Sequence, residues 1–328
     1  HKSNKCDTMI KSIGGDNMFL YDERPKEKSL FVTIPSKIQY NFAFLNNITE
    51  LLEQVEKSSY EKILIDCGTD PINYNKMCTA YLLNTLLFLA QTKTVFAKNN
   101  LLQIFHETVS HSDGKQFEKI DITKDSLSQT QQCYCIRDDK AVSQTVHILG
   151  EFIGSHNLMF ENAKEFLITT IGEIFSNAFN HSSENKVFFM YDIEWHNDDV
   201  YLIINVTDYG KTIVHNVQKY YQEKYGQTIE ATESIRWAMG IGNTTRLGSG
   251  GYGLPTLVNY VSKANGELLI FSGNVIFALK GSKQNILYAK GTLSGTSISM
   301  KIPLFDTSRA FLYDEDRKEF MSMNLDQI

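Results

Sequence analysis

The first hundred residues alternate between short apolar runs and longer helix-like segments, and this alternation restricts the possible folds more than any other feature. Apolar residues dominate the runs at 30–35, 62–68 and 93–97. Between these runs, residues 44–56 repeat apolar side chains every three or four positions, and residues 77–89 form an apolar segment of helix length. Strand, helix, strand, helix, strand in this order predicts a compact α/β unit with some parallel strand pairing.

The length of 328 residues leaves room for a second folded unit after the first. A long helical pattern extends from about residue 142 to 181, with a break near Gly154, and four strand-like runs follow at 187–195, 200–206, 266–271 and 295–303. We therefore expect an α/β (α+β) protein with an extension at 1–28, a small α/β domain at 29–105, a connecting segment at 106–141, a second domain at 142–305 and a tail at 306–328.

The charge balance does not indicate nucleic acid or an anionic membrane as a partner. Lysine and arginine total 32 against 38 acidic residues, which gives a net charge of −6. No apolar run approaches the roughly 18 residues of a membrane span, and none follows the charged N-terminal residues as in a secretory signal. The five cysteines are scattered along the chain, so we expect reduced structural thiols and a cytoplasmic location.

A row of polar side chains lies on an otherwise apolar helical segment. The residues at i, i+4, i+7 and i+8 share one helix face, and here they are Glu173, Asn177, Asn180 and His181. One interpretation is a solvated helix face. The short polar side chains, the lack of lysine and the apolar flanks favour a helix that lines a pocket, because such polar groups are costly to bury without partners.

Three further motifs follow this helix. An apolar strand ends at Asp208, whose carboxylate is suited to accept a hydrogen bond from an exocyclic amine, and Gly210 leaves room for a flat ring. The glycine-rich stretch 248–253 opens a helix, where backbone N–H groups are suited to bind an anion. The third motif is Gly295 and Thr296 at the start of the last strand. Taken singly, the first is also a common turn and the second is equally a flexible loop.

Together and in this order, the four motifs resemble the ATP-binding domain of the GHKL, or histidine-kinase-like, ATPases, which have the Bergerat fold. The resemblance covers about residues 145–305, and the helix motif looks most like that of the anti-sigma-factor serine kinases. It implies an α/β sandwich that binds ATP together with Mg²⁺.

The resemblance also implies roles for individual residues. Asn177 would be the Mg²⁺ ligand, Asp208 would read the adenine, and Glu173 would orient or activate water. Gly210 would lie beneath the base, and Thr296 would support the adenine site. The other residues that the resemblance assigns to nucleotide binding are Asn180, His181, Ile213, Arg246, Gly250, Gly251, Tyr252, Gly253 and Leu254. Among these, Gly251 and Gly253 would cradle the phosphates, whereas Arg246 is either a phosphate ligand or an ordinary surface arginine.

The sequence departs from related patterns at two places. The second glycine of the family's Asp-x-Gly-x-Gly motif is replaced by Thr212, which questions the flexibility of the hinge before the lid at 214–247. The N-terminal unit looks like a STAS-type domain, but the region 70–77 has no serine as phosphoacceptor, so we expect a packing or interaction role. Sensor histidine kinases have a phosphoacceptor box that starts with histidine and continues to Arg-Thr-Pro. His106 and Glu107 match its first two residues, but Arg-Thr-Pro does not follow, so histidine autophosphorylation is disfavoured.

Three functions remain open from the sequence. The first is an ATPase that acts as a nucleotide-dependent conformational switch on a protein partner or within a homo-oligomer. The second is a protein serine/threonine kinase of the anti-sigma type. The third is a non-hydrolysing, ATP-sensing interaction module of a regulatory or bacterial defence complex.

Overall fold

The structure, a computed structural model, describes residues 18–68, 72–98, 101, 117–119, 132–136, 139–155, 161–182, 186–196, 199–245 and 250–304. These residues form a mixed α/β protein, which confirms the predicted fold class. The helices are α1 (Phe42–Lys57), α2 (Lys76–Leu89), α3 (Asp139–Ser155), α4 (Glu161–Ser182), α5 (Ile213–Tyr225), α6 (Ala231–Ala238) and α7 (Gly253–Lys263). The strands are β1 (Leu20–Arg24), β2 (Ser29–Thr33), β3 (Lys37–Ile38), β4 (Lys62–Asp66), β5 (Asn73–Tyr74), β6 (Thr94–Lys98), β7 (Phe117–Lys119), β8 (Gln132–Ile136), β9 (Val187–His196), β10 (Asp199–Asp208), β11 (Glu267–Lys280) and β12 (Lys283–Pro303).

The first sheet has the strand order β1-β2-β4-β6-β7. Its inner strands β2, β4 and β6 are parallel, as the alternation of strands and helices predicts. Both edge strands are antiparallel to their neighbours and lie outside the predicted domain limits, since β1 falls within 1–28 and β7 within 106–141. The sequence of β1 is mostly charged and exposed, which is typical of a protected sheet edge and hides the strand from a search for apolar runs.

The second sheet has the order β11-β12-β10-β9-β8, and its neighbouring strands are all antiparallel. Strand β8 also comes from the segment expected to be a connector. One face of this sheet is covered by helices, because Phe175 of α4 and Val261 of α7 belong to the same buried cluster as Ile204 and Ile298 of the strands. The long helical pattern of the sequence is two helices, of which α3 ends next to the expected break at Gly154.

The last two strands are much longer than predicted. The expected runs 266–271 and 295–303 are only the outer parts of β11 and β12, which continue into one long hairpin. The first half of β12 is mostly exposed, and its apolar residues form one consecutive run at 286–289 instead of an alternation, so no strand pattern marks it in the sequence. This half lies against α1, where the backbone N–H of Lys290 donates to Asn46 Oδ1 at 3.1 Å.

Helix α2 lies between the two sheets. Twelve of its fourteen residues are buried, which is the position expected of a helix that is apolar on all sides. Its side chains share a hydrophobic core with Ile63 and Val95 of the first sheet and with Phe188 and Ile203 of the second. The N-terminal unit and the second sheet are therefore joined through one core, a contact that the division into two domains did not anticipate.

A buried network of polar side chains joins α2 to the second sheet. The side-chain amide of Asn84 donates to Asn205 Oδ1, and Thr207 Oγ1 donates to the same atom at 2.9 Å. Asn205 Nδ2 in turn donates to Ser299 Oγ at 2.7 Å and to Ser297 Oγ at 3.1 Å. Both asparagines are fully buried. Because an amide buried without partners is costly, the network favours one position of α2 on the sheet.

Truncating the α2 side of this network should lower stability. We expect Asn84→Ala to reduce the free energy of unfolding by about 1–3 kcal/mol, because Asn205 is left buried with one partner fewer. Asn259→Ala, at an exposed position of α7, should change it by less than about 0.5 kcal/mol. Urea unfolding followed by circular dichroism measures both variants, and equal small effects would contradict a stabilising role of the network.

Candidate functional site

Helix α4 forms one wall of a cavity of about 310 Å³. Its apolar residues Ile171 and Phe175 are buried in the core beneath, and this orients the neighbouring polar face. Glu173 and Asn177 line the cavity together with the flanking Ile174. The polar row therefore lines a pocket rather than an open helix face, as far as its side chains are described.

Asp208 lies at the end of β10, where the strand leaves the sheet. Strand alternation places Val206 and Asp208 on the cavity face, and the register of the sheet pairs Asp208 with Thr296 of β12. The carboxylate is buried, with 5% of the residue exposed, and its Oδ1 accepts a hydrogen bond from the backbone N–H of Gly210 at 3.0 Å. This bond fixes the orientation of the carboxylate towards the cavity.

A chain of hydrogen bonds supports the same end of the cavity. The hydroxyl groups of Thr296 and Ser272 are 2.8 Å apart and share a hydrogen bond, and the backbone N–H of Ile213 donates to Ser272 Oγ at 2.8 Å. The start of α5 is thereby attached to the sheet. Sequence reasoning missed Ser272, whose signal is a single hydroxyl at the end of the apolar run 268–271.

The glycine-rich loop closes the opposite end of the cavity. Gly251 has a φ of +83°, and a Cβ there would overlap the backbone of Asn243. A Cβ on Gly253, the first residue of α7, would lie 2.7 Å from Glu173 Oε2 and 3.3 Å from Asn177 Nδ2. Glycine at these two positions therefore permits close approach of the loop to the lid on one side and to α4 on the other.

The segment between β10 and the glycine loop covers the cavity with α5 and α6. Thr212 is the N-cap of α5, and its side chain accepts a hydrogen bond from the backbone N–H of His215 at 2.9 Å. Its φ of −80° is open to any residue, so the glycine missing from the motif is not needed here. Trp237 of α6 lines the cavity and packs against Tyr220, with ring centroids 5.3 Å apart.

Most of the residues singled out in the sequence line this one cavity. They are Glu173, Asn177, Asp208, Ile213, Gly250, Gly251, Tyr252, Gly253, Leu254 and Thr296. Gly210 acts through its backbone N–H on Asp208 and is not among the lining residues that the structure describes. The side chains of Asn180 and His181 and the whole of Arg246 lie outside the described residues. Sequence reasoning missed further lining residues, among them Lys211, Asn216, Trp237, Asn243 and Thr244.

The partial burial of Glu173 affects its acidity. Desolvation raises the pKa of this carboxyl above its usual range. A raised pKa makes the carboxylate a stronger base, so Glu173 is suited to accept a proton from a bound water.

No protein-family model matches the sequence, and no curated protein is significantly similar to it. Among the helices that the structure describes, none is long and apolar enough to cross a membrane. Within the same described ranges, there is no group of three or more His, Cys, Asp or Glu residues arranged to hold a metal ion.

The contact of the glycine loop with the lid gives a testable stability difference. Gly251→Ala is expected to destabilise the protein by about 1–3 kcal/mol, because it combines a positive φ with a backbone overlap. Gly172→Ala is the matched control, since a Cβ there meets nothing within 4 Å and helix α4 should gain up to about 1 kcal/mol. Thermal unfolding compares the two variants, and a Gly251→Ala variant as stable as the wild type would contradict the close approach.

Proposed function

We propose that this protein binds Mg²⁺-ATP in the cavity between α4 and the lid and hydrolyses it as a conformational switch. The observation that carries the proposal is the meeting of four motifs, distant in the sequence, in one cavity of about 310 Å³. A volume of this order accommodates a small organic ligand. Apart from Thr212, the order and residue types of the motifs resemble those of the GHKL ATPases, which supports ATP as that ligand.

The adenine would bind at the Asp208 end of the cavity. The buried carboxylate of Asp208 is oriented by Gly210, and its acceptor atoms suit the exocyclic amine of adenine. Apolar side chains surround this end and would pack against the flat ring, among them Val206, Ile213 and Ile298. An acidic acceptor within apolar walls suits an aromatic amine better than it suits a carbonyl group.

The phosphates would bind at the glycine loop. The first turn of a helix leaves its backbone N–H groups without helical partners, and α7 begins at the cavity with Gly253 and Leu254. Mg²⁺ is usually held by few protein ligands together with substrate phosphates, so one amide such as that of Asn177 fits this ion. The ion would supply positive charge at the phosphates, which a protein of net charge −6 does not provide in general.

Glu173 would act on the attacking water. In hydrolysis the water oxygen forms a bond to the terminal phosphorus, the bond from that phosphorus to the bridging oxygen breaks, and the water loses a proton. The Glu173 carboxylate lies beside Gly253, where the phosphates would bind, and its raised pKa suits it to accept this proton. ATP bound there would also contact the lid, which would transmit the nucleotide state to a protein partner or a second copy in the cytoplasm.

Removing the Asp208 carboxylate should weaken ATP binding. We expect Asp208→Ala to raise the Kd for ATP by about tenfold or more, because a hydrogen bond to a charged group contributes about 1.5–3 kcal/mol. The matched control is Asp199→Ala, at the exposed opposite end of β10. Trp237 lines the cavity, and its fluorescence reports binding in a Trp195→Phe background, since the chain has two tryptophans. An unchanged Kd in Asp208→Ala would refute the adenine site.

Removing the Glu173 carboxylate should abolish hydrolysis without abolishing binding. Glu173→Gln is expected to lower the rate of phosphate release by about 10²–10⁴-fold with little change in Kd. Glu165→Gln, an exposed residue earlier on the same helix, is the control. Transfer of label from ATP to a protein would instead support the kinase, and binding with neither activity in the wild type would support the non-hydrolysing module.

The hydrolysis rate should also depend on pH through Glu173. Protonated Glu173 cannot accept a proton, so the rate falls as the pH is lowered through its pKa. Because burial raises this pKa, the acid limb should be centred above the usual range of a glutamate. The pH dependence of kcat/KM tests this, because it reports the pKa values of the free enzyme, and an acid limb centred at the usual value would contradict the role of Glu173 as the base.

A further inference from the structure

Strands β10 and β12 carry the cavity on one face and helix α2 on the other. Val206, Asp208 and Thr296 line the cavity, whereas the intervening Thr207 and Ser297 belong to the polar network beneath α2. Successive side chains of a strand point to opposite faces, so the two sites are separated only by the thickness of the sheet. A displacement of α2 therefore acts on the strands that carry the cavity residues.

The residue that follows Asp208 is anchored in α2. The ring of Tyr209 is stacked on Phe88, with centroids 3.7 Å apart and an angle of 12° between the planes. The Tyr209 hydroxyl donates to Thr85 Oγ1 at 3.1 Å. The ring of Phe188 contacts the Tyr209 ring edge-on, with centroids 5.8 Å apart. Tyr209 is buried in the core that joins α2 to the second sheet. An aromatic stack with a satisfied hydroxyl holds this residue in one position.

The backbone between Asp208 and Tyr209 is also restrained from the side of β12. Gly295 has a φ of +101°, and a Cβ there would overlap the carbonyl oxygen of Asp208 and approach Tyr209 Cα to 2.6 Å. The peptide is thus held between Gly295 and α2. Because a hydrogen bond requires donor and acceptor within about 2.7–3.2 Å, a shift of Tyr209 would misplace the neighbouring carboxylate for the base.

We propose that helix α2 of the N-terminal unit positions the base-reading carboxylate of Asp208 through the stack of Phe88 on Tyr209, and so sets the selectivity for adenine. The inference rests on the proposed function, since it concerns the same site. Phe88 and Tyr209 are positioning residues that act through Asp208. The N-terminal unit is then an integral part of the nucleotide site, and a partner that moves α2 changes the affinity for ATP.

The selectivity between ATP and GTP tests this proposal. Guanine has a carbonyl oxygen where adenine has an amine, so a well-placed Asp208 carboxylate favours ATP. We expect Phe88→Ala to weaken ATP binding about tenfold and GTP binding much less, which lowers the ratio of the two affinities. Phe88→Tyr keeps the ring and should restore the wild-type ratio. The Trp237 fluorescence of the 328-residue chain in the Trp195→Phe background measures each Kd.

Phe96→Ala is the matched control for a loss of stability alone. Phe96 is another half-buried phenylalanine of the N-terminal unit, but it lies on the outer face of the first sheet, in contact with Lys62. The Phe96→Ala substitution should lower the melting temperature of the protein without changing the ratio of its affinities for ATP and GTP. If the Phe88→Ala variant does not fold, the Phe88→Leu variant should show a smaller decrease in the ratio of ATP affinity to GTP affinity.

The outcomes separate this inference from the proposed function. A wild-type ratio in Phe88→Ala, or an equal fall in Phe88→Ala and Phe96→Ala, would overturn the positioning role while ATP binding by the wild type stands. Failure of the wild type to bind ATP, or unchanged binding by Asp208→Ala, would instead refute the nucleotide site itself.

Discussion

The hydrogen bonds of Asn205 are the interaction on which the rest of the structure depends. An antiparallel sheet commonly has one apolar face and one face towards water. Here the face of the second sheet that carries Asn205 is covered by α2, so its polar groups must find partners within the protein. Asn84 of α2 supplies one of them, and Tyr40 supplies another by donating to Ser299 Oγ at 2.6 Å. These bonds restrict α2 to one position, and apolar contacts around them add the stability.

The same alternation that directs Asn205 towards α2 directs the functional side chains the other way. A shift of β10 by one residue would exchange the two faces, and Asp208 would then point into the core beneath α2. The polar network opposes such a shift, because Asn205 would move to the apolar side among residues such as Phe175 and Ile298. The register that buries the network is therefore also the register that places Asp208 and Thr296 together.

The sequence was sufficient to predict the elements whose signal is local. The parallel strands and both N-terminal helices follow from apolar periodicity, whereas the predicted cavity residues come from four local motifs and from the family resemblance that these motifs carry. The position of α2 was not predictable in this way. Asn205 and Ser299 look like a solvated strand face, and Asn84, the partner of Asn205, is more than a hundred residues away in the chain. Likewise, Trp237 lines the cavity only because α6 folds over it, and no residue pattern near Trp237 indicates this.

The replacement of a motif glycine by Thr212 has a consequence for how the lid can move. Thr212 caps α5, and the next residue, Ile213, is bonded to Ser272 of the sheet, so this end of the lid is held by side chains as well as by the backbone. The other end has different restraints. Gly242 has a φ of +77°, and its backbone N–H donates to the carbonyl oxygen of Gly251 at 3.1 Å. The side-chain amide of Asn243 also donates to the carbonyl oxygen of Trp237 at 2.8 Å. Thr212 therefore adds side-chain restraints at the end of the lid next to Asp208, where a glycine would supply none, and this favours a fixed start of α5 beside the proposed adenine site.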